Sequence, residues 1–310
     1  MTRVSSFGQS QLLLNSIMQN QSQLATTQDQ ISSGEVSQTF SGLAGQAETL
    51  LGAQSVQSQN TTYLSTLQQV AQQLNMNDLQ VNAVQTNATN LKQTLVQAIG
   101  NNQASGLTDL LQQTLSNTAG SLNTKIGSNY IFAGSKVNTP PVSSSSLSDL
   151  MSAPSAASLF QNDTTKPAAQ TSANGTTQYG ILASDVGQNL LQVVQNIANY
   201  SAGPNGPLDG TLTPTQVTFL QGQIASLNTA IDGIQNQVSS NGLTQQTVDN
   251  MTTQTQTSSN YLQSFISDIK DTNMAQAATN LSNDQTALQA SYAVEAKLSN
   301  LSLLSYLPVG

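Results

Sequence analysis

The stretch 217-VTFLQGQIASLNTAIDGIQNQV-238 sets Val217, Leu220, Ile224, Leu227, Ile231, Ile234 and Val238 at alternating steps of three and four. With 3.6 residues per turn, that spacing lays one aliphatic stripe along one face of an α-helix. A stripe so regular has to be covered by partner helices, so the segment reads as coiled-coil-like packing. Further on, Asn241-Gly242 reads as a break, after which Val248, Met251, Leu262, Ile266 and Ile269 resume the pattern. Met274, Leu281 and Leu288 then fall seven apart, followed by Leu298, Leu301 and Leu304.

The beginning of the chain mirrors this plan. Leu14, Ile17, Leu24 and Ile31 fall at helical spacings, and the stretch 34–52, with glycines at 34, 42, 45 and 52, reads as a loop. Leu64, Leu67, Ala71, Leu74, Val81, Val84, Ala88, Leu91, Leu95 and Ala98 then predict a helix of about 40 residues, roughly 60 Å long. Gly100-Asn101-Asn102 ends it, and Leu111, Leu115 and Leu122 mark a return helix from about Leu107 to Lys125.

Proline divides the chain. Seven of the eight prolines lie between Pro140 and Pro214, and the remaining one is Pro308. Proline costs about 3 kcal/mol inside a helix, so both proline-free arms permit long helices. The stretch 136–213 differs, with the run Ser143 to Ser146, a loop-like Asn174-Gly175, a candidate strand at 180–183 and a helical pattern from Asp185 to Tyr200. The predicted fold is mainly α: a long antiparallel helical bundle or coiled coil from both chain ends, with a small inserted α/β or β-rich tip module. The expected organisation is an assembly helix and loop (1–45), a helical body in two halves (46–135 and 214–275), an inserted outer module (136–213) and a C-terminal assembly helix (276–310). A module facing outward is expected to be dispensable, so removing 145–175 should leave assembly intact.

Composition narrows the function. Only 7% of residues are charged, far below the roughly 25% of an average soluble protein. Ser, Thr, Asn and Gln replace them, and such a surface puts little repulsion between copies. The net charge is −8, and Arg3, Lys92, Lys125, Lys136, Lys166, Lys270 and Lys297 are scattered, which argues against nucleic acid as a partner. With no Cys and no His, Ser-His-Asp and Cys-His catalysis and cysteine- or histidine-based metal sites are excluded. Asp268 and Asp271 share a helix face, but with Lys270 as the only nearby cation they read as solvated surface. Asp163, Asp185 and Asp209 show no ligand spacing, and Asn87-Ala88-Thr89 is a chance glycosylation match in so Asn- and Thr-rich a chain. No enzyme activity and no cofactor are expected. The N-terminal MTRVSSFGQSQLLLNSIMQ has too short an apolar stretch for a cleaved signal or a membrane span, so any export is expected to leave it uncleaved.

The two ends each carry one narrow stripe among Gln, Asn and Ser. Alone, such a helix is marginal, so the ends are expected to be poorly ordered in the isolated monomer and to fold on assembly. The expected assembly interface comprises Leu14, Ile17, Leu24, Ile31, Met274, Leu281, Leu288, Leu298, Leu301 and Leu304.

Three passages also carry a resemblance. They are Tyr130-Ile131-Phe132-Ala133-Gly134 followed by Thr139-Pro140-Pro141; Ile266-Ser267-Asp268-Ile269 with Asp271 and Met274-Ala275; and Leu288-Gln289-Ala290-Ser291 with the closing 301-LSLLSYL-307. Together they resemble the flagellin-like axial proteins of bacterial flagella, more narrowly the hook–filament junction proteins (hook-associated protein 3). The resemblance covers about three quarters of the chain and is weak over 142–213. It implies a non-enzymatic subunit, exported unfolded without a cleaved signal, that joins hook to filament. Implied partners are copies of itself, a hook-side junction protein, filament flagellin and an export chaperone, with no membrane insertion. One passage departs: after Ser33-Gly34 the family continues with basic residues and an Asp-Asp-Pro turn, whereas Glu35-Val36-Ser37-Gln38-Thr39-Phe40 stands here. Two other readings remain, a flagellin forming the filament itself and another exported coiled-coil protein of a secretion apparatus.

Overall fold

The structure, a computed structural model, describes the backbone of residues 2–304 and the side chains of residues 8–298. Its elements run α1 (Thr2–Ser33), a short 3-10 helix (Phe40–Gln46), α2 (Ala47–Gly100), α3 (Leu107–Leu122), β1 (Lys125–Ile126), β2 (Asn129–Tyr130) and α4 (Leu147–Ser152). After a 3-10 turn at Ala156–Leu159 come β3 (Ala168–Ser172), β4 (Gly175–Gln178), α5 (Ala183–Ala202), α6 (Pro214–Lys270) and α7 (Met274–Leu304). The fold is predominantly helical with two small antiparallel hairpins, as the spacings predicted. The chain forms two compact units: residues up to Gln59 together with those from Ser258 onward, and Asn60–Thr257. Helices α2 and α6 contribute to both.

In the Asn60–Thr257 unit the aliphatic stripes of α2, α3, α5 and α6 share one core. Val81, Val84, Leu91 and Leu95 of α2 are fully buried, as are Leu220, Leu227 and Ile234 of α6. Leu115 and Leu122 of α3 and Leu190, Val194 and Ile197 of α5 complete it. Side-chain bonds mark α2 and α6 as antiparallel, with Gln85 donating to Gln235 and Asn241 to the Leu74 carbonyl.

That last contact explains one difference from the predicted elements. Asn241-Gly242 does not interrupt α6, because the buried Asn241 amide donates across to Leu74 while its backbone stays in the helix. A mid-helix glycine costs only about 1 kcal/mol, which packing on both sides of it outweighs. Similarly, the glycine-rich stretch 34–52 is a loop only before Phe40: the 3-10 helix follows and α2 begins at Ala47, so Gly52 lies within α2, which is longer than predicted at 54 residues.

The stretch 180–183 is not a strand. The hairpin forms just before it, where Ala168, Ala169 and Gln170 pair with Gln178, Thr177 and Thr176. Gly180 instead turns against Pro167, whose ring a Cβ at that position would meet, and its N–H donates to the Pro167 carbonyl. Residues 145–175 are also not a detachable appendage. Leu150 and Ala156 are fully buried, and Leu147 and Leu159 nearly so, in the same core as α3 and α5. Short apolar stretches between prolines found a place in the core that no helical period announced.

The Tyr130–Gly134 passage has a physical role in this unit. Phe132 is fully buried, and its carbonyl accepts the Ala183 N–H at the start of α5. Gly134 takes φ +69°, and a Cβ there would collide with the Asp163 carboxylate and approach the Thr165 carbonyl to 2.9 Å. Asp163 accepts the Ser135 N–H at 3.0 Å and the Thr165 N–H at 3.1 Å, and also bonds the Ser135 hydroxyl. These donors hold its carboxyl below the usual carboxylate range, the Ser135 hydroxyl being the strongest cause.

Candidate assembly interface

Helices α1 and α7 belong to the other unit and pack on each other. On α1 the residues shielded from solvent are Leu13, Ile17, Asn20, Leu24, Thr27 and Ile31, at steps of four and three; Gln30 flanks them. On α7 they are Ala277, Leu281, Asp284, Leu288, Ser291, Glu295 and Leu298, again at four and three, with Asn280 flanking. Each helix alone is marginal in water, and here each is the other's partner. A heptad repeat of this kind is the seam of a coiled coil.

The seam is not simply aliphatic. Thr27 is 1% exposed, and its hydroxyl lies 2.8 Å from Asp284 Oδ2 and 3.0 Å from the Gln23 carbonyl. Asn20 Nδ2 donates to Ser291 Oγ at 2.9 Å, while the Ser291 hydroxyl donates to the Ala287 carbonyl. Beside this layer, Gln21 donates to the Tyr292 hydroxyl at 2.6 Å. These bonds make α1 and α7 antiparallel.

At the end of α1 the backbone is clamped to the α6–α7 junction. Gly34 takes φ +74°, and Glu35 and Asp271 form an antiparallel bridge, with Val36 N–H donating to the Lys270 carbonyl and Thr272 N–H to the Gly34 carbonyl. Lys270 Nζ lies 2.8 Å from Glu35 Oε1. The hydrogen bond that Lys270 donates to Glu35, then the Glu35 charge, raises the Lys270 pKa above its ordinary value. Glu35, the first residue of the departing passage, thus has its own cation. Just beyond, Leu43, Leu50 and Ile269 form a small buried cluster with Phe265 and Ile266 against it.

Of the predicted interface residues, Ile17 is buried in the seam at 7% exposure, and Leu24, Ile31, Leu281, Leu288 and Leu298 are half-buried at seam positions. Leu14 and Met274 lie off the seam, 43% and 49% exposed. The side chains of Leu301 and Leu304 lie outside the described residues. Aliphatic spacing alone passed over Asn20, Thr27, Asp284 and Ser291. Their signal was present in the sequence, since each polar pair is seven residues apart on its own helix.

The same helices carry large apolar groups on their solvent side. Leu12, Leu14 and Met18 of α1 and Tyr292 and Val294 of α7 are exposed. Among the described residues no three His, Cys, Asp or Glu side chains are grouped to hold a metal ion. No helix among them is long and apolar enough to cross a membrane.

These features define a class: helical proteins whose two terminal helices pair in an antiparallel coiled coil, with further apolar side chains left exposed beside the seam. Comparison with known proteins gives that class a context. Residues 224–307 match the bacterial flagellin C-terminal helical region. The fold is similar to that of a putative flagellar hook-associated protein from Vibrio parahaemolyticus, at 12% identity and a TM-score of 0.59, covering 75% of this chain and 99% of that one. It is also similar to Bacillus cereus FlgL, at 15% identity and a TM-score of 0.53, covering 71% of this chain and 99% of that one. No curated protein matches by sequence.

Proposed function

We propose that this protein is a structural, non-catalytic subunit of the bacterial flagellum that joins hook to filament and assembles through α1 and α7. The observation that carries the reading is the unequal covering of these two helices. Their mutual seam takes up Ile17 and the half-buried leucines, while Leu14, Met18, Tyr292 and Val294 face solvent. Exposed apolar side chains beside such a seam offer an interaction surface. A surface with few charges suits copies of the same chain. The match of 224–307 to the flagellin C-terminal helical region and the fold shared with hook-associated proteins support the flagellar setting. The partners in this reading are further copies, the hook-side neighbour, filament flagellin and an export chaperone, and the location is extracellular.

The flagellin match favours one competing reading, the bulk filament subunit. Immunogold electron microscopy of intact flagella separates the two, using antibody against the hairpin 168–178, one face of which is exposed. Gold at a single point where hook meets filament is the expected result. Gold along the filament would assign the chain to the filament, and unlabelled flagella, with the antibody proven on purified protein, would remove it from the organelle.

A further inference from the structure

The α1–α7 seam poses a problem of alignment. Ile17, Leu24 and Ile31 stand seven apart on α1, and Leu281 and Leu288 stand seven apart on α7. An aliphatic ladder with that repeat looks the same after a slip of one heptad, so these residues alone do not distinguish the observed register from its neighbours. The alternate seam positions break the degeneracy. Along α1 they read Leu13, Asn20, Thr27, and along α7, in the opposing direction, Leu298, Ser291, Asp284, Ala277.

We infer that Asn20, Thr27, Asp284 and Ser291 are the specificity-determining residues that align α1 on α7. In the observed register the two polar pairs bond each other, and Leu13 falls level with Leu298. A slip of one heptad in one direction sets Leu13 against Ser291, Asn20 against Asp284 and Thr27 against Ala277. In the other it sets Asn20 against Leu298 and carries Asp284 past the end of α1 at Ser33. The first slip exchanges the two observed interhelical bonds for a single Asn20–Asp284 pairing, and the second leaves Asn20 beside Leu298, where a polar group without its partner is penalised more than a made bond is rewarded. The bonds are directional: the Ser291 hydroxyl is committed to the Ala287 carbonyl, which leaves its oxygen to accept from Asn20. The clamp at Glu35–Lys270 holds one end of the pair, and the polar layers carry the alignment along it.

The inference deepens the assembly reading, because alignment also sets the outer face. A heptad slip moves α7 along α1 by about 10 Å, at about 1.5 Å per residue. That displacement would separate Met18 from the level of Tyr292 and break up the exposed apolar surface.

The chain contains no cysteine, so spin labels can be attached at Gln11→Cys and Ser282→Cys, both exposed, and their separation measured by pulsed dipolar spectroscopy on the full chain. The clamp is weakened throughout with Glu35→Ala and Lys270→Ala, which remove its ion pair, and with Val36→Pro, which removes the N–H donated to the Lys270 carbonyl. With the natural seam, one distance is expected. With Asn20→Leu, Thr27→Val, Asp284→Leu and Ser291→Leu, a second population displaced by about 10 Å is expected. The two-residue variant Thr27→Val with Asp284→Leu serves if the fourfold one fails to fold, and should show a smaller displaced fraction. A single distance in folded apolar-seam variants would overturn the inference, as would two distances with the natural seam. Because the readout is on the isolated chain, it fails or succeeds independently of where the protein sits in a flagellum.

Discussion

Replacing Ile17 and Leu14 separately by aspartate distinguishes the inner seam from the outer face of α1. The two positions are three residues apart on one helix and carry aliphatic side chains of the same size, yet Ile17 is 7% exposed and Leu14 43%. Ile17→Asp removes about 2 kcal/mol of apolar burial. It also sets a carboxylate in a seam where α7 already contributes the half-buried Glu295, adding at least about 2 kcal/mol. A loss of about 4 kcal/mol in local opening corresponds to roughly a thousandfold drop in amide protection, at one decade per 1.4 kcal/mol. Hydrogen exchange of the purified chain should therefore show α1 and α7 losing protection together, with the α2–α3–α5–α6 core unchanged. Leu14→Asp, off the seam, should change stability by at most about 0.5 kcal/mol, or two- to threefold in protection. Its effect should appear instead as failed incorporation into flagella with normal export. Equal loss of protection in the two variants would refute the division of α1 into an inner and an outer face.

Three other outcomes are expected. Leu91→Ala, at a fully buried position, should cost about 3 kcal/mol and lower the thermal midpoint by about 6–12 °C, read by circular dichroism. Gly134→Ala should lower it as well, because the positive φ alone costs about 1–2 kcal/mol before the collision with Asp163 is counted, whereas Gly120→Ala, with open space around it, should not. On the alkaline side, the Glu35–Lys270 pair should weaken as Lys270 loses its proton. Lys270 is raised above its ordinary value of 10.5, so its contribution is fully present below that pH and is lost as pH climbs through the raised value. The difference in thermal midpoint between the natural chain and Lys270→Met should thus persist at pH 8 and vanish only in strongly alkaline solution. A difference that vanished near neutrality would show that the pair has another role.

Residue order by itself determined which segments are helical and which faces of them are apolar. Val217 to Val238 and Val81 to Leu95 carry periods long enough to be read as helix directly, and both are helical in the structure, while proline placement kept both arms open to long helices. The lack of Cys and His excluded whole classes of chemistry before any geometry was known. Tertiary structure decided matters that depend on a partner brought from far along the chain. Asn241-Gly242 has the composition of a break, and only the Leu74 carbonyl across the helix pair makes it helix interior. Leu150, Ala156 and Leu159 sit in a stretch of low periodicity, and only the neighbouring α3 and α5 make them core. Glu35 is an unremarked charge in the sequence until folding sets it beside Lys270. Leu14 and Ile17 look equivalent along α1, and α7 alone separates them, because burial belongs to a pair of surfaces and not to either helix.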